Sequence, residues 1–350
     1  AAARWGWADW ATDWREVIAR DDIDIVDIVT PGDSHAEIAI AALEAGKHVL
    51  CEKPLANTVD EAERMTRAAE SAASRGVRAT VGFTYRRVPA VTLMRDLIAE
   101  GRIGRVQQVR AAYRQDWLVD ASIPLAWRLQ KEHAGSGALG DIGAHIIDMT
   151  QFVTGAMIES VSGVVDTIVK QRPVQAAETG SASSSGLAGV AGAGFGEVTV
   201  DDVALFTGRL AGGALASFEA TRFATGRKNA LTLEVSGDRG ALAFDLEDLN
   251  SLRWYDRTAD EAVQGFTQIL VTEPVHPYVS AWWPAGHLLG YEHGFVHQAK
   301  DFVEGVVAGV DVRPTFAEGL AVQQVLAAVE ESSADDSRWV SAVRESTLTN

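Results

Sequence analysis

Only one cysteine, Cys51, occurs in the 350 residues, so no internal disulfide can form and a reducing, cytoplasmic setting is expected. Basic residues are few beside acidic ones: 31 Lys and Arg against 48 Asp and Glu leave a net charge of −17. That balance argues against nucleic acid, which needs a basic face, and favours neutral substrates over anionic ones. No apolar run reaches the roughly 20 residues of a membrane span, so no membrane partner is expected, and no signal-peptide pattern is read at the start. Metal-ligand spacing is also missing. His276, His287, His293 and His297 are scattered among turns and a helix, and His293 and His297, although i and i+4, have no third ligand in view, so no metal is expected. What is there is ordinary for a globular protein, 47% hydrophobic and 23% charged, in a chain long enough for two cores.

The first part of the chain alternates strand and helix. Residues 24–30 (DIVDIVT) are apolar and β-branched enough for a buried parallel strand, stopped by Pro31-Gly32. A helix over Ser34–Ala45 follows, with Ile38, Ala41, Ala42 and Ala45 on one face and Gly46 as its stop. His48–Cys51 reads as a strand, Thr58–Ser74 as a helix with Asp60 and Glu61 in its first turn, and Ala79–Thr84 as a third strand. This rhythm predicts an α/β doubly wound parallel sheet, placed at 1–90. Residues 91–350 read as an α+β substrate and oligomerisation domain. A helix at 91–100 leads to the strand Val106–Tyr113, an irregular stretch at 115–134 and a helix ending near Phe152. Strands at 158–170, 198–210, 213–222, 229–236, 239–245 and 266–271 then predict a large, mostly antiparallel open sheet. The small-residue stretch 176–196 reads as a loop. Two helices, about 291–307 and 315–333, end the pattern, the last packing back on the first domain.

The segment GSGALGDIGAH (135–145) poses a choice. Gly135, Gly137 and Gly140 spell the dinucleotide fingerprint G-x-G-x-x-G, and Glu159 follows at a fitting distance. A phosphate loop, however, needs a strand before it and a helix N-terminus free of negative charge. WRLQKEHA precedes Gly135 and Asp141 follows Gly140, so the context fails. The alternative uses Asp141 and His145, four apart and so on one helical face. A carboxylate beside an imidazole can orient a general base for an alcohol proton, with the glycines permitting close approach. Spacing alone equally allows a capping aspartate and a core histidine.

Several stretches together resemble the Gfo/Idh/MocA oxidoreductases: residues 24–56, GFTYRR (82–87), EGRIGRV (100–106) and GSGALGDIGAH. YRQDWL, PLAWRLQK and FEATRFATGRKN look similar to a sugar-oxidising branch of that family. The resemblance implies a nicotinamide cofactor, NAD or NADP, and a catalytic trio of Lys53, Asp141 and His145. In it Lys53 favours the alkoxide, His145 takes the proton, and Asp141 holds the imidazole or a neighbouring hydroxyl. Cofactor contacts are implied at Thr30, Pro31 and His35, at Glu52, Lys53 and Pro54, at Arg86, and at Trp127 and Arg128. Tyr113, Gln115, Trp117 and His287 are weaker substrate candidates, each as readily a structural side chain at a domain interface, and for His287 the structural role is favoured. Gly32 departs from the family, many members having Asn there. The family also opens with a strand, a glycine loop, a helix and a second strand. This chain begins beyond them, so the pyrophosphate loop and the NAD/NADP determinant are expected to be missing from it.

The function implied is hydride transfer from a secondary hydroxyl of a neutral sugar, a levoglucosan-like anhydrosugar or a cyclitol. Two alternatives stay open: a dehydrogenase of a nucleotide-linked sugar, and a non-catalytic sensor of sugar or dinucleotide. A homo-oligomer is expected, with Leu231, Leu233 and Val235 contributing to its interface.

Overall fold

The computed structural model describes residues 2–175 and 191–343. Its first layer is a three-stranded parallel sheet of β1 (Ile25–Ile28), β2 (His48–Cys51) and β3 (Ala79–Val81), in that order. Ile28 pairs with Cys51 and Cys51 with Val81, so all three strands end in register along one edge. The helices His35–Glu44 and Val59–Ala73 make the crossovers. The second starts with a capping box in which Thr58 and Glu61 satisfy each other's backbone N–H groups.

The second layer is a nine-stranded sheet built on β4 (Val106–Arg114), β5 (Ile158–Asp166) and β8–β14. These last are Val203–Leu210, Leu215–Thr221, Ala230–Gly237, Gly240–Asp245, Ser251–Asp256, Phe266–Leu270 and Val340–Ser341. All its pairings are antiparallel except β4 with β9. The helix Ala144–Thr154 lies on its inner face and is almost wholly buried.

The structure differs from the sequence reading in several places, among them strand β12, which that reading did not include. Part of the small-residue stretch is a strand: β7 (Ala191–Glu197) pairs with β6 (Gln171–Gln175), while 176–190 lie outside the described residues. Glycine-rich composition suggested a loop, but pairing partners outweigh weak propensity in a strand. More consequentially, Leu231, Leu233 and Val235 are not on a free face. All three are buried in the chain's own core, and the open face is set by Thr232 and Glu234 instead. Side chains alternate along a strand, and alternation alone does not say which face the helices cover.

The last long helix, Phe316–Ala334, packs both on the helix Val59–Ala73 and on β5, joining the two layers. Gly319 permits this, since a Cβ there would sit 2.9 Å from Val81. The Pro314 carbonyl accepts from Val81 N at 3.0 Å and from Thr80 Oγ1 at 2.8 Å, which pins the start of that helix to β3.

Candidate active site

Lys53 leaves the C-terminal end of β2 and crosses to the second domain. Its Nζ donates to the main-chain oxygen of Asp141 at 2.6 Å and to Asp141 Oδ1 at 3.2 Å. Asp141 lies in a π-helical turn, Leu139–Gly143, which opens into the helix carrying His145. Such widened turns are frequent where a side chain is re-aimed for function. Burial pushes the Asp141 carboxyl up, but Lys53 and Arg222 outweigh it and hold it at about 2. The structure thus brings the trio together with one correction. Asp141 does not hold the imidazole; Lys53 takes its carboxylate, and Arg222 Nη1 stands 3.8 Å from its other oxygen.

His145 is buried against three aromatic rings, Tyr85 at 4.6 Å, Tyr113 at 6.0 Å and Phe83 at 6.1 Å between centroids. Burial, with the Lys53 ammonium added, holds its imidazole well below its ordinary value against the smaller pull of Asp141. A neutral imidazole can accept a proton at pH 7. Neither ring nitrogen has a hydrogen-bond partner among the described residues.

The glycines answer the question the sequence left. Backbone N–H groups of Gly137 and Leu139 do bind an anion, but it is the Asp201 carboxylate, at 2.6 and 2.7 Å. A Cβ at Gly137 would fall 1.7 Å from the Asp201 carbonyl and 2.7 Å from Arg222 Nη2. The segment is therefore a packing device for Asp201 and Arg222, and its N–H groups have no room for a phosphate.

Along the β4 side runs a hydrogen-bonded row of fixed direction. Tyr113 Oη donates to Asn229 Oδ1 at 2.7 Å, so Tyr85 Oη, 2.7 Å from Tyr113, donates to it and accepts from Tyr291 at 3.1 Å. Gln115 Nε2 donates to the same Asn229 oxygen at 2.8 Å, and Trp117 Nε1 donates to Gln115 Oε1 at 3.0 Å. Tyr113, Gln115 and Trp117 are thus brought into one row. His287 is not: it is exposed, with Nδ1 on the Pro284 carbonyl at 2.8 Å. Tyr85, Asn229, Tyr291, Asp201 and Arg222 went unread in the sequence. Only the FTYRR and ATRF stretches, already noted for their resemblance, could have drawn attention to any of them.

The residues implied for the cofactor divide. Thr30-Pro31 and Glu52-Lys53-Pro54 form adjacent turns at the shared strand edge. His35 is buried between them, Nε2 on the Thr30 carbonyl at 3.0 Å and Nδ1 on that of Pro54 at 3.2 Å. Its ring holds the two turns together, which is a supporting role. Gly32 faces Asn57, whose Oδ1 would lie 2.3 Å from a Cβ at 32, so Asn57 fills that space. Arg86 is a correction. Its Nε and Nη2 bind Asp148, and its Nη1 binds Glu318 at 2.7 Å, all within the core. Every nitrogen of that guanidinium is engaged, so it joins helices and is not offered to a ligand. Arg128 is the contrary case. It stacks on Trp127 at 4.3 Å, its charge reaches Asp141, and it makes no hydrogen bond among the described residues. Open turns at parallel strand ends, with a donor-rich cation left without a partner beside them, fit a dinucleotide.

The four scattered histidines are occupied otherwise. His297, for example, accepts from Trp282 Nε1 at 2.6 Å and bonds the Arg87 carbonyl at 2.9 Å. Among the described residues no three His, Cys, Asp or Glu side chains are grouped to hold a metal, and no helix is long and apolar enough to cross a membrane.

A three-stranded parallel layer beside a large open sheet, with Lys53, Asp141 and His145 brought together, is the arrangement of a pyridine-nucleotide oxidoreductase. Residues 1–83 match the oxidoreductase family with an NAD-binding Rossmann fold, and residues 91–243 match the GFO/IDH/MocA C-terminal domain. The chain belongs to the Gfo/Idh/MocA oxidoreductases. It is 42% identical to levoglucosan dehydrogenase of Pseudarthrobacter phenanthrenivorans over 97% of its own length and 85% of that protein's. The crystal structure of an oxidoreductase domain protein from Kribbella flavida superimposes with a TM-score of 0.91 at 58% identity, covering 98% of this chain and 86% of that one. Levoglucosan dehydrogenase in complex with NADH and levoglucosan superimposes at 0.89 and 40% identity, with 98% and 86% covered.

Proposed function

We propose that this protein oxidises a secondary hydroxyl of a small neutral carbohydrate or polyol, with a levoglucosan-like anhydrosugar as the first choice and a cyclitol as a further one. The observation that carries the reading is the Lys53–Asp141 pair standing beside a buried His145 whose ring nitrogens are free of partners among the described residues. Thr30, Pro31, Glu52, Pro54, Trp127 and Arg128 would line the cofactor, which when bound accepts the hydride. Lys53, held by Asp141, donates a hydrogen bond to the reacting oxygen and favours its alkoxide. His145 accepts the proton from that oxygen. The row from Tyr291 to Trp117 supplies directed hydroxyl, amide and indole groups of the kind that align a polyhydroxylated ring. NAD and NADP are both carried forward as cofactors.

Likeness to levoglucosan dehydrogenase over nearly the whole chain supports the substrate class. The test is nicotinamide reduction followed by absorbance with levoglucosan, glucose and inositols. Turnover of an anhydrosugar or sugar, lost in H145A and K53A, supports the reading. Absence of turnover, with a dinucleotide or sugar still raising the melting temperature, moves the assignment to a sensor.

A further inference from the structure

Arg222 follows β9, and its side chain is wholly buried, the rarest state for a charged residue. Its Nη2 donates to the Asp201 carbonyl at 2.9 Å, while Trp117 lies across it at 5.6 Å from the ring centre. Nη1 and Nε have no hydrogen-bond partner among the described residues, and Nη1 is the atom that stands 3.8 Å from Asp141 Oδ2. A buried guanidinium with two unsatisfied nitrogens is costly, and one backbone carbonyl does not offset that. Its charge is answered by Asp141, whose other oxygen and carbonyl hold Lys53.

We propose that Arg222 is a positioning residue for Lys53: its buried guanidinium, admitted by the missing side chain at Gly137, fixes the Asp141 carboxylate in the orientation that grips the lysine. The inference rests on the dehydrogenase reading above for its catalytic consequence and on geometry for the rest. Arg222 does not touch the reacting atoms in this role. Charged and titratable groups face Asp141 from every side: Lys53 from the turn after β2, Arg222 from the end of β9, Arg128 from the Trp127–Leu129 turn, Tyr113 from β4, and His145 from its own helix. Of these, Lys53 and Arg222 act most strongly on it, and removing Arg222 leaves burial, which pushes the carboxyl up, less opposed.

The full chain is compared as wild type, R222M and R222K, by two readouts. The first is steady-state kinetics with the best sugar. The second is carbon NMR of labelled aspartate carboxyls in cofactor-free protein, with D141N assigning the resonance. R222M should lower kcat on the order of a hundredfold, the cost of a misplaced group, with sugar KM little changed. Its Asp141 resonance should titrate above the wild-type position, and R222K should recover part of both. A loss of activity with no movement of that titration is a structural effect only and overturns the proposal, as does an R222M of wild-type kcat. Should R222M not accumulate, R222K decides alone: unchanged kcat and unchanged titration overturn it, and a partial shift in both supports it. A titration that moves in R222M, while the wild type itself turns over no sugar, would uphold the Arg222–Asp141 link and sink the dehydrogenase reading instead.

Discussion

His145 and Lys53 carry the sharpest expectations at the scale of single residues. H145A should reduce kcat by roughly 10²- to 10⁴-fold, the usual share of a general base, while NADH still binds, as followed by its fluorescence. The imidazole is neutral because burial and Lys53 both disfavour its charged form. It is therefore ready to accept a proton throughout the neutral range, and sugar oxidation should fail only as pH drops well below the ordinary imidazole value. Replacing Lys53 with Met removes one of those two influences, so the imidazole's pKa rises and its NMR titration in cofactor-free protein should move to higher pH. A titration that stays in place in K53M would show that Lys53 does not act on His145. The trio itself was legible in the sequence only through resemblance. Spacing put Asp141 and His145 on one face, yet the π turn and the partner of Asp141 depend on Lys53, 88 residues away, which no local pattern contains.

Elements decide how well that trio is held. The two joining helices meet at Arg86, whose side chain is 7% exposed beside an Asp148 at 1%. Deleting Asp148 leaves Arg86 Nε and Nη2 buried without an acceptor while Glu318 still holds Nη1, so D148A should destabilise by about 1–3 kcal/mol, read from the urea midpoint. Arg86 was expected at the cofactor because a motif names a position and not the direction of its side chain. The glycine segment shows the opposite lesson. Its context, with no strand before it and an acid after it, sufficed to reject a phosphate site, but the carboxylate it encloses comes from residue 201 and was beyond local reading. G137A should overpack the contact with Asp201, costing about 1–3 kcal/mol and lowering kcat with it. Most strands and helices came within a few residues of their positions because apolar period and capping residues are local. Strands β6, β7 and β12 did not, since what fixes them is their pairing partners rather than their own composition.

At the scale of the molecule, the open face of the large sheet carries Arg110, Arg114 and Arg253 interspersed with Glu219, Glu234 and Asp245. Alternating charges on one patch can complement themselves across a two-fold axis, which suits a second copy of the chain. Sedimentation should therefore give at least a dimer, and E234R should shift it toward monomer. A monomeric wild type would remove this expectation. Chain charge pointed to a neutral substrate, yet the site itself holds Lys53, Arg128 and Arg222 near Asp141, so net charge described the exterior better than the cleft.

Asp201 behaves as a tethered guest, a carboxylate delivered by the chain to a cradle that free anions could otherwise enter. Shortening it to alanine would leave two inward N–H groups unsatisfied and a hole of about the shape of formate. Such a variant should melt lower than the parent and regain much of the difference in millimolar formate, while chloride at equal ionic strength does little. The pseudo-fingerprint of the sequence would then have become a real anion receptor, one substitution away from the protein that contains it.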